Sequence, residues 1–249
     1  MNILFACDLD NTLIYSYKKK QDGFICVELN KGKEQGFMTS YTFGNFLNMT
    51  EKVMFVPVTT RSVEQYRRIV FPNGYTPEYA LVSNGATLIR NGKTDENWNL
   101  IKKDISYLKE IFNRYHNDKR FINCRIVDES YVFVYCAPET DAEKVTEELA
   151  DSVDLNVELS GRKIYFFPEN LSKGNAVGRL KKVLQCNEIL SAGDSSIDAG
   201  MLNNADNAIV PCNFDVSLLK HNKIVRAGEN DIFSDFVINY ILTNIFSNK

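Results

Sequence analysis

The sequence predicts an α/β fold, a Rossmann-like doubly wound parallel-sheet core built from both ends of the chain with a smaller α+β unit inserted in the middle. Three observations predict it. Short apolar runs without polar alternation, at residues 2–7, 53–58 and 188–192, have the character of strands buried on both faces. Helical periodicity alternates with such runs near both termini, as βα units require. From about residue 84 to residue 166 the pattern changes to paired strands and two helices, the mark of an antiparallel sheet.

Residues 2–7 form the first core strand, followed at residues 23–38 by a β-hairpin turning at Asn30-Lys31-Gly32. Thr39 or Ser40 caps a helix running to about Met49. Residues 53–58 make the second core strand, Ser62 caps a helix carrying residues 63–70, and residues 80–82 make a third strand. The inserted unit then reads as a hairpin at residues 86–93, a helix at 100–115 and strands at 121–126 and 131–136. It closes with a helix at 141–153 and strands at 155–159 and 163–167. The βα alternation resumes with a helix after Ser172, a strand at 188–192, a helix after Ser196 and a strand at 207–210. The last apolar stretch, Phe233 to Phe246, is interrupted by Ser234, Asp235, Asn239, Thr243 and Asn244. It is far too short to span a membrane and reads as a helix over the core. Residues 1–83 and 167–249 are thus assigned to the core and 84–166 to the insert.

Composition narrows the function. With 249 residues, 44% hydrophobic and 24% charged, the chain has the make-up of a soluble globular protein. A formal net charge of -3 provides no basic field for nucleic acid. Asp8 and Asp10 interrupt the N-terminus before a signal-peptide core can form, so the expected location is cytoplasmic. Six cysteines without a CxxC pair argue for reduced thiols rather than a zinc ribbon. With only His116 and His221 available, a histidine metal site or a Ser-His-Asp triad lacks material. Any metal is therefore expected on oxygen ligands, which favours Mg²⁺.

Four motifs follow strands or open helices, where a doubly wound sheet places its sites. Asp8-Leu9-Asp10-Asn11-Thr12-Leu13 puts two carboxylates into one turn, suited to a cation or a shared proton, and to nucleophilic and acid/base roles. By itself it equally fits a helix-capping turn. Thr59-Thr60-Arg61 offers hydroxyls and backbone N–H groups for phosphate, although a plain N-cap is the commoner use of such a threonine. Ser172-Lys173-Gly174-Asn175 sets a lysine at the positive end of a helix, a mild electrostatic misfit that phosphate would relieve. Gly193-Asp194-Ser195-Ser196-Ile197-Asp198 offers Asp194 as a metal ligand and Asp198 about one helical turn on, to support Asp194 or Lys173. Each is weak alone. Together they supply what phosphoryl transfer needs, which is mostly positioning and charge neutralisation.

These motifs, in this order, resemble those of haloacid dehalogenase-like (HAD) hydrolases, from Asp8 to at least Met201. The α+β insert resembles the type IIB cap of Cof-like and sucrose-phosphatase-like sugar phosphatases, and Ser83-Asn84-Gly85-Ala86 resembles the element where that cap leaves the core. The resemblance implies that Asp8 forms an aspartyl-phosphate and ligates Mg²⁺, while Asp10 acts as general acid/base and lends the metal its backbone carbonyl. It implies that Thr59, Thr60 and Lys173 bind the phosphoryl group and that Asp194 completes the metal site with Asp198 behind it. Two positions depart from the family pattern. Thr60 stands where glycine is usual, and Ile197 where asparagine is usual.

The implied activity is hydrolysis of a small phosphate monoester, of sugar or polyol type, with specificity set by the cap. Arg61, Asn84, Gly85, Arg125, Arg162 and Lys163 are candidate substrate contacts, although an ordinary exposed surface residue is the commoner reading of Asn84, Arg125, Arg162 and Lys163. The same nucleophile also suits a phosphomutase. Thr60 and Ile197 motivate a third reading, a phosphometabolite-binding protein of weak chemistry. A nicotinamide-dependent dehydrogenase is set aside because no GxGxxG follows a strand.

Overall fold

The computed structural model describes residues 3–98, 105–220 and 223–245. At its centre lies β1 (Ile3–Cys7), every residue of which is buried. It pairs in parallel with β5 (Met54–Pro57) on one side and β13 (Glu188–Ala192) on the other. Beyond β13 follow β14 (Asn207–Val210) and β15 (Ile224–Arg226), giving the order β15-β14-β13-β1-β5. Side chains alternate across β1 with the period of a strand, so Ile3, Phe5 and Cys7 enter one core layer and Leu4 and Ala6 the other. The first layer is closed by α1 (Ser40–Thr50) and α7 (Phe233–Asn244), through Phe46, Met49, Val237 and Ile241. The second is closed by α5 (Lys173–Leu184) and α6 (Ala199–Asn203), through Val177, Leu180 and Met201. Apolar cover on both faces is what the unalternating strand runs require.

A three-stranded antiparallel ribbon, β2 (Tyr15–Ser16), β3 (Ile25–Asn30) and β4 (Lys33–Met38), stands beside the start of the core. Its turn is where the sequence puts it, with Lys31 (φ 51°) and Gly32 (φ 77°) both left-handed as a tight hairpin demands. Thr39 caps α1 by accepting from the Thr42 N–H at 2.9 Å. Ser62 caps α2 (Val63–Arg67) in a capping box with Gln65, and this helix ends three residues before the predicted Val70.

The strands β6 (Tyr79–Val82), β7 (Thr87–Arg90) and β8 (Lys93–Thr94) form an antiparallel unit, with Leu81 bridged to Val58 beyond the end of β5. The sequence reading puts the hairpin at residues 86–93 in the insert. Its Leu88, with Trp98, instead packs into the core layer holding Leu4, Val56 and Val177. Apolar side chains at β7 find their nearest buried partners there rather than in the cap.

The cap sheet runs β11 (Asn156–Ser160), β12 (Lys163–Phe167), β10 (Tyr131–Cys136), β9 (Phe121–Val127), all antiparallel. One face packs under α3 (Ile105–Tyr115) and α4 (Ala142–Ala150) through Val132, Val134, Ile164 and Phe166. The alternate residues Tyr131, Phe133, Tyr165 and Phe167 face the core, where they meet Leu171 and Ile197. The predicted start of α3 at residue 100, Phe246 of the C-terminal helix, Asn2 of the first strand and His221 lie outside the described residues. All six cysteines are free. Among the described residues no helix is long and apolar enough to cross a membrane.

Candidate active site

Asp8 follows β1 directly and its N–H still donates to the Ala192 carbonyl at 2.9 Å, so the strand ladder fixes its backbone. The chain then turns sharply, with the Leu9 carbonyl accepting from the N–H groups of Leu13 and Ile14 and Asn11 at φ 62°. This leaves Asp8 buried at the carboxyl end of the sheet.

Lys173, the first residue of α5, reaches the same point with only 2% of its surface exposed. Its ammonium donates to Asp8 Oδ1 at 2.5 Å and to Asp198 Oδ1 at 2.7 Å. The cation that helix polarity disfavours is thus held by two carboxylates. Asp198 Oδ2 accepts from the N–H groups of Asp194 (3.1 Å) and Ser195 (3.0 Å) and from Ser195 Oγ (3.1 Å). Gly193 makes room for this, since a Cβ there would lie 2.5 Å from Asp198 Cβ. A Cβ on Gly174 would likewise lie 2.5 Å from the Gly200 carbonyl, so α5 and α6 approach closely enough to bring Lys173 to Asp198.

Carboxylate oxygens of Asp8, Asp194 and Asp198 lie within 4.8 Å of one another. Burial, with the neighbouring carboxylates, raises the Asp8 carboxyl well above its usual range despite Lys173. Burial and then the Asp198 charge push Asp194 up to about 7. The cluster therefore carries more negative charge than one lysine balances. Both Asp198 oxygens are already engaged, which leaves Asp8 and Asp194 with free acceptor capacity. An all-oxygen pair with surplus negative charge fits a hard divalent cation such as Mg²⁺.

Asp10 faces the cleft between core and cap, with 48% of its side chain exposed toward the cavities. Arg61 grips it with a fork, Nε to Oδ2 at 2.9 Å and Nη2 to Oδ1 at 2.8 Å. The third arm, Nη1, donates to Oε2 of Glu28 at 2.8 Å. Glu28 is 1% exposed on β3 and also pairs with Arg68 at 3.2 Å. Enclosure in the cleft raises the Asp10 carboxyl, but the Arg61 charge and hydrogen bonds outweigh it and hold the group below its usual range.

The cap is fastened to the loops after β5 and β6. Asp128, between β9 and β10, accepts from the Val63 N–H at 2.8 Å and from Ser83 Oγ. Val63 opens α2, so the carboxylate satisfies an otherwise unpartnered helix-terminal N–H. Tyr131 Oη donates to the Thr60 carbonyl. Beneath the cap lie a cavity of about 560 Å³, lined by Asp8, Lys173, Asp194 and Arg162 among others, and one of about 340 Å³, lined by Arg61, Arg68 and Arg125 among others. They share Asp10, Ser16, Thr60, Lys163 and Tyr165.

The structure thus brings Asp8, Asp10, Lys173, Asp194 and Asp198 together, with Thr60, Arg61, Arg125, Arg162 and Lys163 around the cavities. Thr59, Asn84 and Gly85 are buried and are not among the lining residues. Thr59 Oγ1 accepts from the Arg61 N–H at 3.1 Å, Asn84 donates to the Leu171 carbonyl at 3.4 Å, and the Gly85 carbonyl accepts from Trp98 at 3.0 Å. Ile197 packs with Tyr165, Phe167 and Leu171 in the cap–core contact and also lines the larger cavity. Glu28, Asp128 and Tyr131 escape a sequence reading. The one available signal is Glu28 itself, a charge inside an apolar strand run.

The sucrose-6F-phosphate phosphohydrolase family model matches residues 1–234. No curated protein sequence is a significant match. Among solved structures, the sucrose-phosphatase from Synechocystis sp. PCC6803, in complex with sucrose and phosphate, superposes with a TM-score of 0.62 at 15% identity, covering 96% of this chain and 97% of that one. A haloacid dehalogenase-like hydrolase from B. subtilis superposes at 0.65 with 16% identity, covering 98% and 100%. A phosphatase of the haloalkanoate (HAD) enzyme superfamily from Bacteroides thetaiotaomicron superposes at 0.63 with 11% identity, covering 97% and 95%. At these identities the superpositions speak for the fold.

Proposed function

The chain belongs to the sucrose-6F-phosphate phosphohydrolase family, and on that premise we propose that it is a Mg²⁺-dependent phosphatase of a small sugar or polyol phosphate, with Asp8 as nucleophile and Asp10 as general acid/base. The observation that carries the reading is the Lys173 ammonium shared by Asp8 and Asp198 at the mouth of β1, with Asp10 across the same cavity.

In this reading the phosphoryl group enters beside Asp8 and Lys173. An Asp8 carboxylate oxygen bonds to phosphorus as the ester P–O bond breaks, and protonated Asp10 gives its proton to the departing oxygen. Asp10, now a carboxylate, takes a proton from water as that water attacks the aspartyl-phosphate, releasing phosphate and restoring Asp8. Arg61 favours the carboxylate form of Asp10, the form the second half-reaction uses, so the fork has to loosen for the first. Lys173 offsets charge on the transferring group throughout. Asp8, Asp194 and the backbone carbonyl of Asp10 would hold Mg²⁺, with Asp198 behind them, and the ion would neutralise phosphoryl charge. The sugar or polyol class is supported by the family's name and by the sucrose and phosphate bound to the Synechocystis protein. The binding-only alternative rests on Thr60 and Ile197, both of which line the larger cavity, Ile197 while also packing against the cap.

The test is phosphate release from a panel of sugar, polyol and nucleotide monophosphates, with and without Mg²⁺, for the wild type and Asp8→Asn. Turnover that needs Mg²⁺ and disappears in the variant is the expected result. Turnover that survives in Asp8→Asn would remove the nucleophile assignment.

A further inference from the structure

We propose that the smaller cavity is a subsite for a second anionic group on the substrate, carried by the part of the molecule that departs with the ester oxygen. This rests on the phosphatase reading above and names its substrate class: phosphate monoesters whose alcohol portion bears a carboxylate or another phosphate.

The argument begins with position. Asp10 lines both cavities, with Asp8 and Lys173 on the larger one only. The group that hands a proton to the departing oxygen therefore separates the phosphoryl side from the smaller cavity, and the departing portion extends into the latter. Charge decides what that portion carries. The smaller cavity has two carboxylates, Asp10 and Glu28, and four cations, Arg61, Arg68, Arg125 and Lys163. Arg61 is consumed by Asp10 and Glu28, and Arg68 by Glu28. Among the described residues, Arg125 and Lys163 have no carboxylate within ion-pair distance.

The two cations are also built in. In the antiparallel cap sheet Arg125 is directly opposite Phe133, Phe133 opposite Tyr165, and Lys163 opposite Tyr135, so strand register puts both cations on the core-facing side. Arg125 is laid over the Phe133 ring, 5.1 Å from its centroid, which orients a planar fork suited to a carboxylate or phosphate. Glu158 continues the row past Tyr165 but lines neither cavity. A departing group without charge would leave this surplus to water alone. An anionic one would be steered in and retained.

Matched pairs test the proposal: glucose 6-phosphate against 6-phosphogluconate and glycerol 3-phosphate against 3-phosphoglycerate for a carboxylate, and fructose 6-phosphate against fructose 1,6-bisphosphate for a phosphate. The expected kcat/KM is at least about tenfold higher for the anionic member of the carboxylate or the phosphate pairs. The double variant Lys163→Met, Arg125→Met should bring that ratio to about one, and Lys163→Arg with Arg125 intact should keep it. A wild type that favours the neutral members, or a ratio unmoved in the double variant, overturns the proposal. If no substrate is turned over, the phosphatase reading fails separately. Calorimetry of the same pairs on Asp8→Asn then decides the subsite, and equal binding of the members of every pair rejects it.

Discussion

Arg61 holds Asp10 by two parallel hydrogen bonds of 2.8 and 2.9 Å, with its remaining arm on a glutamate buried in the β2–β4 ribbon. This fork joins three parts of the chain far apart in sequence, and it favours the anionic form of the residue proposed to donate a proton. Replacement by lysine keeps the charge and loses the fork. In Arg61→Lys the Asp10 pKa should rise, because the interactions that depress it are weakened. The alkaline limb of the kcat/KM profile, where Asp10 loses the proton it must donate in the first half-reaction, should move to higher pH, with kcat falling roughly 10- to 100-fold. A pH–rate profile that superposes on the wild type would show that the fork does not tune Asp10.

The carboxylate cluster predicts a pH-dependent response to Mg²⁺. Asp194 is raised from 3.8 to about 7 in the fold, and Asp8 is raised as well. A group whose pKa is raised by folding binds more protons in the folded state. Its stabilisation is full below its unfolded pKa and is lost as pH climbs through the folded one. The metal-free protein should therefore lose stability from Asp194 between pH values of about 4 and 7, and from Asp8 as pH climbs above the ordinary carboxylate range. Mg²⁺ competes with those protons, so it should raise Tm more at about pH 8 than at about pH 5. An equal shift at both values would place the ion elsewhere.

Gly193→Ala tests the steric basis of the site. The new methyl would sit 2.5 Å from Asp198 Cβ and 2.6 Å from its carboxyl carbon, so the aspartate must give way. Three hydrogen bonds to Asp198 Oδ2 and the one from Lys173 to Oδ1 would be disturbed. Overpacking of this kind costs about 1–3 kcal/mol. Activity should fall further than stability accounts for. Denaturant unfolding alongside kinetics on the folded fraction separates the two, and a variant with normal kcat would contradict the prediction.

Ile197→Asn introduces the residue that the resemblance to HAD hydrolases implies at that position. Here Ile197 is 7% exposed among Tyr165, Phe167 and Leu171, so an amide there meets apolar cap surface. The variant should lose about 1–3 kcal/mol of stability and hold the cap less tightly, seen as faster proteolysis between core and cap. Increased stability would mean that the cap contact does not depend on this side chain.

Several parts of this molecule follow from local sequence alone. Apolar runs at residues 3–7 and 188–192 make buried strands wherever they lie, and strand ends expose whatever follows them. Asp8, Lys173, Asp194 and Asp198 were therefore legible as one group, since Asp8 and Asp194 come at strand ends, Lys173 opens a helix and Asp198 lies about one helical turn past Asp194. The Asn30-Lys31-Gly32 turn was legible for the same reason, because left-handed φ is a local demand.

Other features were decided only in three dimensions. The hairpin at residues 86–93 joined the core because Leu88 and Ile89 found buried partners there, and strand periodicity does not say which sheet will take a strand. Asn84 and Thr59, polar residues in a motif, turned into backbone hydrogen bonds rather than toward the cavities. Glu28 met Arg61, and Asp128 met Ser83, across 33 and 45 residues of sequence. Local periodicity chooses the face on which a side chain emerges. Which distant face it meets depends on strand order and on the docking of the cap, and these are set by the burial of the whole chain.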